Sequence, residues 1–471
     1  MLMNIVVPFI GNLELSGLLF FIFILCLLAV VGFEFVNGFH DTANAVATVI
    51  YTKALKPVIA IPWSGLWNFL GVFTGGIAVA MGILKLVPLD KLMSLPAEVG
   101  AYMVLSVLLA SIAWNLGTWY IGIPCSSSHT MIGAMIGAGL AFTWYYGGSG
   151  VNWGKAEEIG ISLVISPVIG FALAAGIMYL LRRLLSRSTL FHIPSGEHDR
   201  PPVLIRGMLI VTCTLVSFFH GSNDGQKGVG LFMLILIAFL PARYAVNLDI
   251  PDATILRELN RTEHVLYRAS ITDKDNGPAY QKLISEIEAG KSGLAKKNPS
   301  EKNQAYAFRR TIEEIVSSLK QIHKDPKYHP GHGALRLLDI SSKNLLKITD
   351  FAPLWVIMVI SLSLGLGTMI GWKRIVVTIG EKIGNEHLNY AQGATSEVVA
   401  ASTIGLSTAF GLPVSTTHVL SSGIAGAMIA SGGKGNLNNT TLKNIGIAWV
   451  LTLPVSIALA FGLFMLLHLL I

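Results

Sequence analysis

Two polar stretches interrupt long apolar runs of this sequence, and each carries an aspartate. The first stretch is VNGFHDTANAVATVI, residues 36–50, and the second is SFFHGSNDGQKGVGLFM, residues 217–233. Alignment on Asp41 and Asp224 also pairs three further positions: Gly38 with Gly221, His40 with Asn223, and Asn44 with Lys227. Ionisable side chains are costly in hydrocarbon, so they usually face the interior of a helix bundle or a substrate path. We therefore interpret the two stretches as two halves of one central site.

The two aspartates indicate chemistry with cations. Two carboxylates would repel an anion, whereas their oxygens suit a proton, Na⁺ or a hard divalent cation that travels with an anion. Lys227 could neutralise part of the charge of that anion. It could also pair with an aspartate, which would make the buried charges structural. Asp41 and Asp224 are thus candidates for cation coupling and for binding a divalent metal.

Three further ionisable residues lie in or beside these stretches. His40 and His220 titrate near neutral pH, so either histidine could relay protons. His220 stands in an otherwise apolar run, where a packed and hydrogen-bonded histidine is the alternative. Glu34 lies about one helical turn before the first break, where it could serve a gate or a proton path, or lie at the membrane interface. All three join the candidates for proton or cation coupling.

A second pair of repeats carries hydroxyl groups. The run GIPCSSSHTMIGAMIGA at 122–138 aligns without a gap on GLPVSTTHVLSSGIAGA at 411–427. Proline followed by serine or threonine is typical of the first turn of a helix, whose free N–H groups and partial positive charge suit an anion. A single copy would be interpreted as helix caps alone, but duplication in register favours a site. The hydroxyl side chains predicted to surround a tetrahedral oxyanion are Ser126, Ser127, Ser128, Ser415, Thr416 and Thr417.

The composition is that of an integral membrane protein. Of 471 residues, 52% are hydrophobic and 13% are charged, whereas soluble domains carry about a quarter charged residues. Apolar runs of about 20 residues, enough for one membrane span, recur from end to end. The net charge of +7 is modest. Because the basic residues lie in loops beside apolar segments, they indicate membrane topology and not nucleic-acid binding.

The two pairs of repeats occur in the same order, which indicates two homologous halves. Asp41 lies 83 residues before Pro124, whereas Asp224 lies 189 residues before Pro413. The difference of 106 residues is close to the length of a hydrophilic block in the second half, so we interpret that block as an insertion. The predicted organisation is a first membrane repeat (1–187), a basic cytoplasmic linker (188–204), the start of the second repeat (205–242), an inserted helical cytoplasmic block (243–346) and the rest of the second repeat (347–471).

Internal repeats with polar breaks near the membrane midplane are typical of secondary transporters. The predicted fold is an all-α integral membrane protein of about 10–12 membrane segments, with broken helices at the polar stretches and re-entrant hairpins at the hydroxyl runs. The repeats alone leave inverted and parallel arrangements of the halves open. In the inserted block, the segment 303–322 places one set of apolar residues on a single helical face: Phe308, Ile312, Ile315, Val316, Leu319 and Ile322.

Four motifs in order, FHDTANAVAT, HGSNDGQKG, PCSSSHTMIGA and PVSTTHVLSS, resemble the inorganic phosphate transporter (PiT) family, in particular its bacterial low-affinity members. The resemblance covers nearly the whole chain outside the inserted block. It implies a phosphate symporter of the bacterial inner membrane, built from two inverted repeats that meet at a central phosphate site. The family's acidic positions correspond to Asp41 and Asp224. The phosphate-binding candidates are then the six hydroxyl residues together with Asn44, Asn223, Gln226 and Lys227.

The sequence departs from the Na⁺-coupled members of that family at two positions. Their Asn-Asp pair reads His40-Asp41 here, and their later asparagine reads Lys227. Replacing a neutral oxygen ligand by a titratable or cationic group removes capacity for binding a cation and adds capacity for handling protons or anions. We therefore predict coupling to H⁺, with Na⁺ as the alternative. Phosphate carried as a neutral complex with Mg²⁺ or another divalent metal is a further option.

Three rival functions stay open. A divalent-metal permease would use His40, Asp41, Asp224 and His220 as ligands. An intramembrane hydrolase would need a nucleophile turn of the G-x-S-x-G type, which is missing from the sequence. A receptor would signal anion occupancy through the inserted block. The main prediction is a transporter that is not an enzyme and holds no tightly bound cofactor; its expected partners are phosphate, the coupling cation and the lipid bilayer, with a homodimer as one candidate assembly.

Overall fold

The computed structural model of the chain describes residues 2–7, 10–87, 92, 95–185, 189–194, 199–295 and 302–469. The chain divides into two compact units. The membrane unit comprises residues 1–89, 98–232 and 353–471, and the second unit comprises residues 90–97 and 233–352.

Helices make up nearly all of the regular structure. In chain order they are α1 (Gly17–Asp41), α2 (Ala43–Tyr51), α3 (Pro57–Thr74), α4 (Ala78–Leu84), α5 (Ala97–Tyr120), α6 (Ser127–Tyr146), α7 (Trp153–Leu184), α8 (Val203–Phe239), α9 (Pro241–Tyr244), α10 (Asp252–Thr272), α11 (Gly277–Ala295), α12 (Lys302–Lys324), α13 (His332–Thr349), α14 (Leu354–Thr368), α15 (Lys373–Val377), α16 (Tyr390–Ala409), α17 (Thr416–Gly432) and α18 (Asn439–His468). A π-helical turn, Thr378–Lys382, follows α15 directly. Short 3₁₀ turns lie at Thr189–Phe191, Lys274–Asn276 and Lys434–Asn436.

Six helical runs of the described chain are long and apolar enough to cross a membrane. They are the run of α1 and α2 together, and then α3, α5, α7, α8 and α18. A helix satisfies its own backbone hydrogen bonds, which is the condition for crossing hydrocarbon. The chain is therefore a multi-pass membrane protein. The shorter or more polar helices between these runs are not assigned by length and composition, so the larger number of membrane segments stays a prediction.

The two hydroxyl runs of the sequence form two loops with the same backbone. The first hydroxyl loop, residues 122–128, leads from α5 into α6, and the second, residues 411–417, leads from α16 into α17. Gly122 and Gly411 begin these loops at positive φ angles of 73° and 68°, a conformation that glycine adopts without strain. Helix α7 packs against α17, and α18 packs against α6, so the helices that follow the loops pack across the two repeats. The inverted arrangement and the re-entrant hairpins stay predictions.

The predicted break in the second polar stretch is wrong, because α8 runs without interruption through residues 217–233. Its polar side chains find partners on neighbouring segments, so the backbone has no need to unwind. Gly221 lies directly against the backbone of Asn68 on α3, where a Cβ would collide. Small residues of this kind permit close packing of membrane helices. In the first polar stretch the interruption is confined to Thr42, which keeps helical angles of φ −50° and ψ −39°.

The N-terminus departs from the predicted all-α fold. Leu2–Val7 (β1) and Gly11–Ser16 (β2) pair as a two-stranded antiparallel sheet. The β-branched residues Ile5, Val6 and Val7 favour a strand. The prediction of an all-α fold was based on the long apolar runs and did not include this local preference.

The second unit is a bundle of four helices. Each of α10, α11, α12 and α13 packs against the next, and α10 packs against α13. The predicted apolar face of 303–322 is confirmed, because all six of its residues are buried on α12. Arg309 on the same helix is also buried, and its Nη1 donates to the carbonyl oxygens of Ala245 at 3.0 Å and Thr349 at 2.9 Å. This guanidinium ties the beginning of the bundle to its end.

Candidate functional site

Asp41 on α1 and Asp224 on α8 lie side by side in the buried interior of the membrane unit. Ser127, from the first hydroxyl loop, bridges them: its Oγ lies 3.1 Å from Asp41 Oδ2 and 3.3 Å from Asp224 Oδ2. The Nε2 atom of His220 lies 3.6 Å from an oxygen of each carboxylate. The structure thus brings together both polar stretches and the first hydroxyl loop.

Lys227 is fully buried and supplies a positive charge to one side of this cluster. Its Nζ lies 2.6 Å from Asp224 Oδ2, one helical turn away, and donates to Ser128 Oγ at 2.6 Å. Of the two roles considered for Lys227, the contact made here is the pair with an aspartate. Ser128 Oγ in turn donates a hydrogen bond to the Val414 carbonyl at 2.7 Å, so the lysine also links the two hydroxyl loops.

The six loop hydroxyls divide between two tasks. Ser126 and Ser415 cap α6 and α17, accepting hydrogen bonds from the backbone N–H groups of His129 and His418 at 3.2 and 3.1 Å. Thr417 donates to Asp41 Oδ1 at 2.6 Å, opposite Ser127. The caps therefore fix the two helix N-termini, and the hydroxyls that follow reach the charged cluster.

The three predicted amide ligands lie in different surroundings. Asn44 belongs to the cluster: its Nδ2 donates to Asp41 Oδ1 at 3.1 Å and to Thr417 Oγ1 at 3.0 Å, with Thr416 Oγ1 at 3.4 Å. Asn223 instead holds the second hydroxyl loop, because its side chain bonds to Thr408, Leu412 and Val414.

Gln226 lies away from the charged cluster, although it stands beside Lys227 in the sequence. Its Oε1 accepts from the Val79 N–H at 2.7 Å, at the beginning of α4, and its Nε2 donates to the Gly75 carbonyl at 3.0 Å. Both ends of the side chain are therefore used to hold α4 against α8.

The remaining coupling candidates surround the cluster. His40 Nδ1 lies 3.6 Å from Asp41 Oδ1, and its Nε2 lies 3.3 Å from Thr118 Oγ1. His220 is oriented by Asn68, whose Oδ1 lies 2.7 Å from Nδ1. Glu34 accepts from Asn37 Nδ2 at 3.2 Å and packs against Gly228, one residue after Lys227. It is buried near the cluster without a direct contact to either aspartate among the described residues.

Two features escaped the sequence analysis. Glu397 on α16 is fully buried, and its carboxylate accepts hydrogen bonds from Thr48 on α2 and Thr212 on α8. A lone acidic residue inside an apolar segment was the available signal, as it was for Glu34. The second feature is a contact between equivalent histidines of the two hydroxyl loops, since the rings of His129 and His418 lie 4.6 Å apart.

The donor set fits a small cation or protons. One ligand atom from each of Asp41, His220 and Asp224 lies within 4.8 Å of the others. Within the described structure, Asp224 Oδ1, His220 Nε2 and His40 Nδ1 have no hydrogen-bond partner. Buried polar atoms of this kind call for a ligand or a proton. Carboxylate and hydroxyl oxygens favour hard cations, and an imidazole nitrogen extends the choice to transition metals.

Comparison with known proteins gives consistent relatives. The profile of the phosphate transporter family matches residues 37–460. The low-affinity inorganic phosphate transporter PitA of Escherichia coli K12 is 40% identical, over 94% of this chain and 95% of its own. PitB of the same strain is 39% identical, over 97% and 98% of the two chains. A probable low-affinity inorganic phosphate transporter of Bacillus subtilis is 29% identical, over 93% and 94%.

A solved structure shares the fold. The structure titled "The sodium-dependent phosphate transporter" superposes with a TM-score of 0.55, covering 96% of this chain and all of that chain, at 23% sequence identity. At this identity the likeness concerns the fold alone.

Proposed function

The chain belongs to the phosphate transporter family, and on that premise we propose that it imports inorganic phosphate across the bacterial cytoplasmic membrane as a symporter driven by protons. One observation carries the proposal: the equivalent hydroxyl loops of the two repeats converge on a buried cluster of two carboxylates and one lysine. The family resemblance inferred from the four motifs is confirmed, and the relatives are named as transporters.

Phosphate would bind where the N-termini of α6 and α17 approach each other. The hydroxyl groups of Ser127, Ser128, Thr416 and Thr417 supply donors, and the ammonium group of Lys227, paired with Asp224, supplies a further donor. Ser127 and Thr417 would then donate to phosphate oxygens in exchange for their present hydrogen bonds to Asp41.

The two carboxylates make this binding conditional on a cation. Two unit charges about 4 Å apart interact by about 4 kcal/mol at an effective dielectric constant of 20, so an anion beside an ionised Asp41 is strongly disfavoured. Lys227 already balances Asp224. The charge of Asp41 has to be balanced from outside, by a proton or a bound cation, before phosphate can bind, and this requirement couples the two solutes.

Protons are the proposed coupling ion because imidazoles flank Asp41 on two sides. His40 Nδ1 and His220 Nε2 each lie 3.6 Å from one of its oxygens, within reach of a small shift for proton transfer. A divalent metal carried with phosphate would use the oxygens of Asp41 and Asp224 together with His220. Na⁺ coupling is the second candidate, favoured by the hydroxyl and amide oxygens around Asp41.

The test is radiolabelled phosphate uptake by the purified protein in proteoliposomes under separately imposed pH and Na⁺ gradients, each with and without Mg²⁺. The proposal expects accumulation under the pH gradient alone. Accumulation that follows only the Na⁺ gradient would replace protons by Na⁺. If the protein takes up a divalent metal in the absence of phosphate, the proposal is wrong and the protein is a metal permease.

A further inference from the structure

A pocket opens on the surface of the membrane unit, and none of its described lining residues belongs to the carboxylate cluster. Its volume is about 550 Å³, and its lining comes from the end of α5 with the two residues after it (119–122), from the segment 371–378, and from Lys382. Binding sites for small molecules in proteins typically measure about 300–1,000 Å³. The pocket is therefore large enough for an organic ligand and much larger than one inorganic phosphate requires.

The charge of the pocket is positive. Lys373, Arg374 and Lys382 line it, all three are exposed, and no acidic residue lies among its described lining residues. Glu381 stands next to Lys382, but its carboxylate accepts a hydrogen bond from the Tyr51 hydroxyl at 2.8 Å. Three cations without an acidic neighbour in the lining indicate an anionic ligand.

Arg374 is already oriented by aromatic neighbours. Its guanidinium carbon lies 5.1 Å from the ring centre of Trp119 and 4.8 Å from that of Tyr120, within the range of a cation–π contact. The same side chain donates to the Tyr120 carbonyl. An arginine held in this way loses little conformational entropy when an anion binds.

Apolar side chains beside the pocket indicate an amphiphile. Tyr120 and Ile121 line the pocket and are 67% and 64% exposed, and Ile370, the chain neighbour of the lining residue Gly371, is 55% exposed. Large apolar side chains on the surface of a membrane protein contact acyl chains, and tryptophan and tyrosine favour the region of the lipid head groups. Inorganic phosphate has no part that would use this surface.

We propose that the pocket binds the phosphate head group of an anionic phospholipid. Lys373, Lys382 and the oriented Arg374 contact the head-group oxygens, and the acyl chains lie along Ile121 and Ile370. Basic pockets beside membrane helices bind anionic lipids in this manner.

The same pocket is tied to the first hydroxyl loop. Thr378 Oγ1 donates to the Gly122 carbonyl at 2.7 Å, and Trp119 Nε1 donates to the Gly371 carbonyl at 2.7 Å. Gly122 begins the loop that carries Ser127 to the carboxylate cluster. A lipid seated here therefore stabilises the position of that loop.

The test is native mass spectrometry of the purified full-length chain titrated with phosphatidylglycerol or with phosphatidylcholine. The double variant Lys373→Gln/Lys382→Gln is expected to bind phosphatidylglycerol roughly 30-fold more weakly and to bind phosphatidylcholine as the native protein does. Arg374 stays unchanged because it also supports the Tyr120 backbone.

The matched control is Lys56→Gln/Lys443→Gln, which removes two exposed lysines of the membrane unit outside the pocket lining and is expected to leave lipid binding unchanged. Thermal unfolding of all three proteins reports whether they are equally folded.

Two results would overturn the proposal. In the first, phosphatidylglycerol binds no better than phosphatidylcholine, or the pocket and control variants weaken it equally. In the second, inorganic phosphate displaces phosphatidylglycerol and binds in lipid-free detergent in a manner that requires Lys373 and Lys382. The pocket would then be an entrance for the transported anion.

Discussion

Asp41 and Asp224 hold equivalent positions in the two repeats but have different neighbours. Asp224 has a lysine ammonium 2.6 Å away, whereas the residue equivalent to that lysine beside Asp41 is Asn44, whose amide donates at 3.1 Å. Around Asp41 the closest donors are neutral: the Thr417 hydroxyl at 2.6 Å and the Ser127 hydroxyl at 3.1 Å. One half of the site therefore carries a lysine as its own counter-charge, whereas the other half has neutral donors and the imidazoles of His40 and His220, each 3.6 Å from an oxygen of Asp41.

This difference indicates different roles for Asp41 and Asp224, although a symmetric site would give them the same role. Asp224 and Lys227 form a fixed, neutral pair that holds Ser128 and the first hydroxyl loop in place. In the proposed function, Asp41 is the carboxylate whose charge a transported ion balances. A duplicated sequence can in this way supply two similar hydroxyl loops for the anion but only one carboxylate, Asp41, for coupling.

The largest effect is expected from removing the built-in counter-charge. Lys227→Met would leave Asp224 buried without a cation, which destabilises a protein by about 3–5 kcal/mol. Thermal unfolding in detergent measures the loss, with Lys443→Met, at an exposed position, as the control. If the variant has the same unfolding temperature as the native protein, the buried charge of Asp224 does not need Lys227. The contrast with Asp41 would then disappear.

The next effect concerns the hydroxyl that touches both aspartates. Ser127→Ala removes the hydroxyl proposed to donate to phosphate, a hydrogen bond to a charged group worth about 1.5–3 kcal/mol, and is expected to raise the KM for phosphate roughly tenfold or more. Ser126→Ala, one residue earlier, removes a helix cap worth about 1 kcal/mol and is expected to lower stability with little change in KM. Equal changes in KM for both variants would contradict the division of the loop hydroxyls into caps and ligands.

A smaller effect is expected when Gln226 and Asn44 are each replaced by alanine, because the two variants should differ in their KM for phosphate. Because both ends of the Gln226 side chain hold backbone groups of α4 and its preceding loop, Gln226→Ala is expected to destabilise the protein by about 1–3 kcal/mol and to leave the KM of the folded fraction near the native value. Asn44→Ala, inside the cluster, is expected to raise KM. Uptake kinetics and thermal unfolding of both variants provide the comparison, which fails if Gln226→Ala raises KM as much as Asn44→Ala does.

The smallest effect lies in the second unit, where neutral donors hydrogen-bond to the carboxylate of Asp273. Burial would raise the pKa of Asp273, but hydrogen bonds from the His329 N–H, the Asn276 amide and the Tyr280 hydroxyl hold its pKa below the ordinary value. Its contribution to stability is therefore complete above the ordinary aspartate pKa and is lost as the pH falls through the lowered folded pKa.

Asp273→Asn is accordingly expected to remove part of the pH dependence of unfolding of the second unit in the acidic range. Hydrogen exchange of α10 and α11 measured over a series of acidic pH values reports this loss. An unchanged pH dependence in the variant would show that these hydrogen bonds do not favour the ionised form.

The sequence alone could locate much of the site because the repeats themselves carry the information. Residues that align between two halves around a polar break were expected to face one another, and the structure places Asp41, Asp224 and Ser127 in mutual contact. The family followed from the order and spacing of four motifs. Helix caps were the alternative interpretation of the hydroxyl runs, and in the structure Ser126 and Ser415 do cap α6 and α17.

What the sequence could not decide depends on packing between distant segments. Gln226 and Lys227 are neighbours on α8, so only the position of α4 shows that one turns away from the cluster and the other into it. The predicted break in the second polar stretch does not form, and two glycines of that stretch, Gly221 and Gly225, lie in close contact with α3. Glu397 has no equivalent in the first repeat, and its partners come from α2 and α8, far away in the sequence.

The central claim is that phosphate binds only when the charge of Asp41 is balanced by the coupling ion. Its most direct test compares two assays in Na⁺-free proteoliposomes: accumulation of labelled phosphate under an imposed pH gradient, and exchange of internal for external phosphate without a gradient. Asp41→Asn mimics the neutralised carboxylate, so it is expected to abolish gradient-driven accumulation while phosphate exchange persists. Asp275→Asn, at an exposed position in the second unit, is the control and should retain both activities. Gradient-driven accumulation by Asp41→Asn at the native rate would contradict the claim.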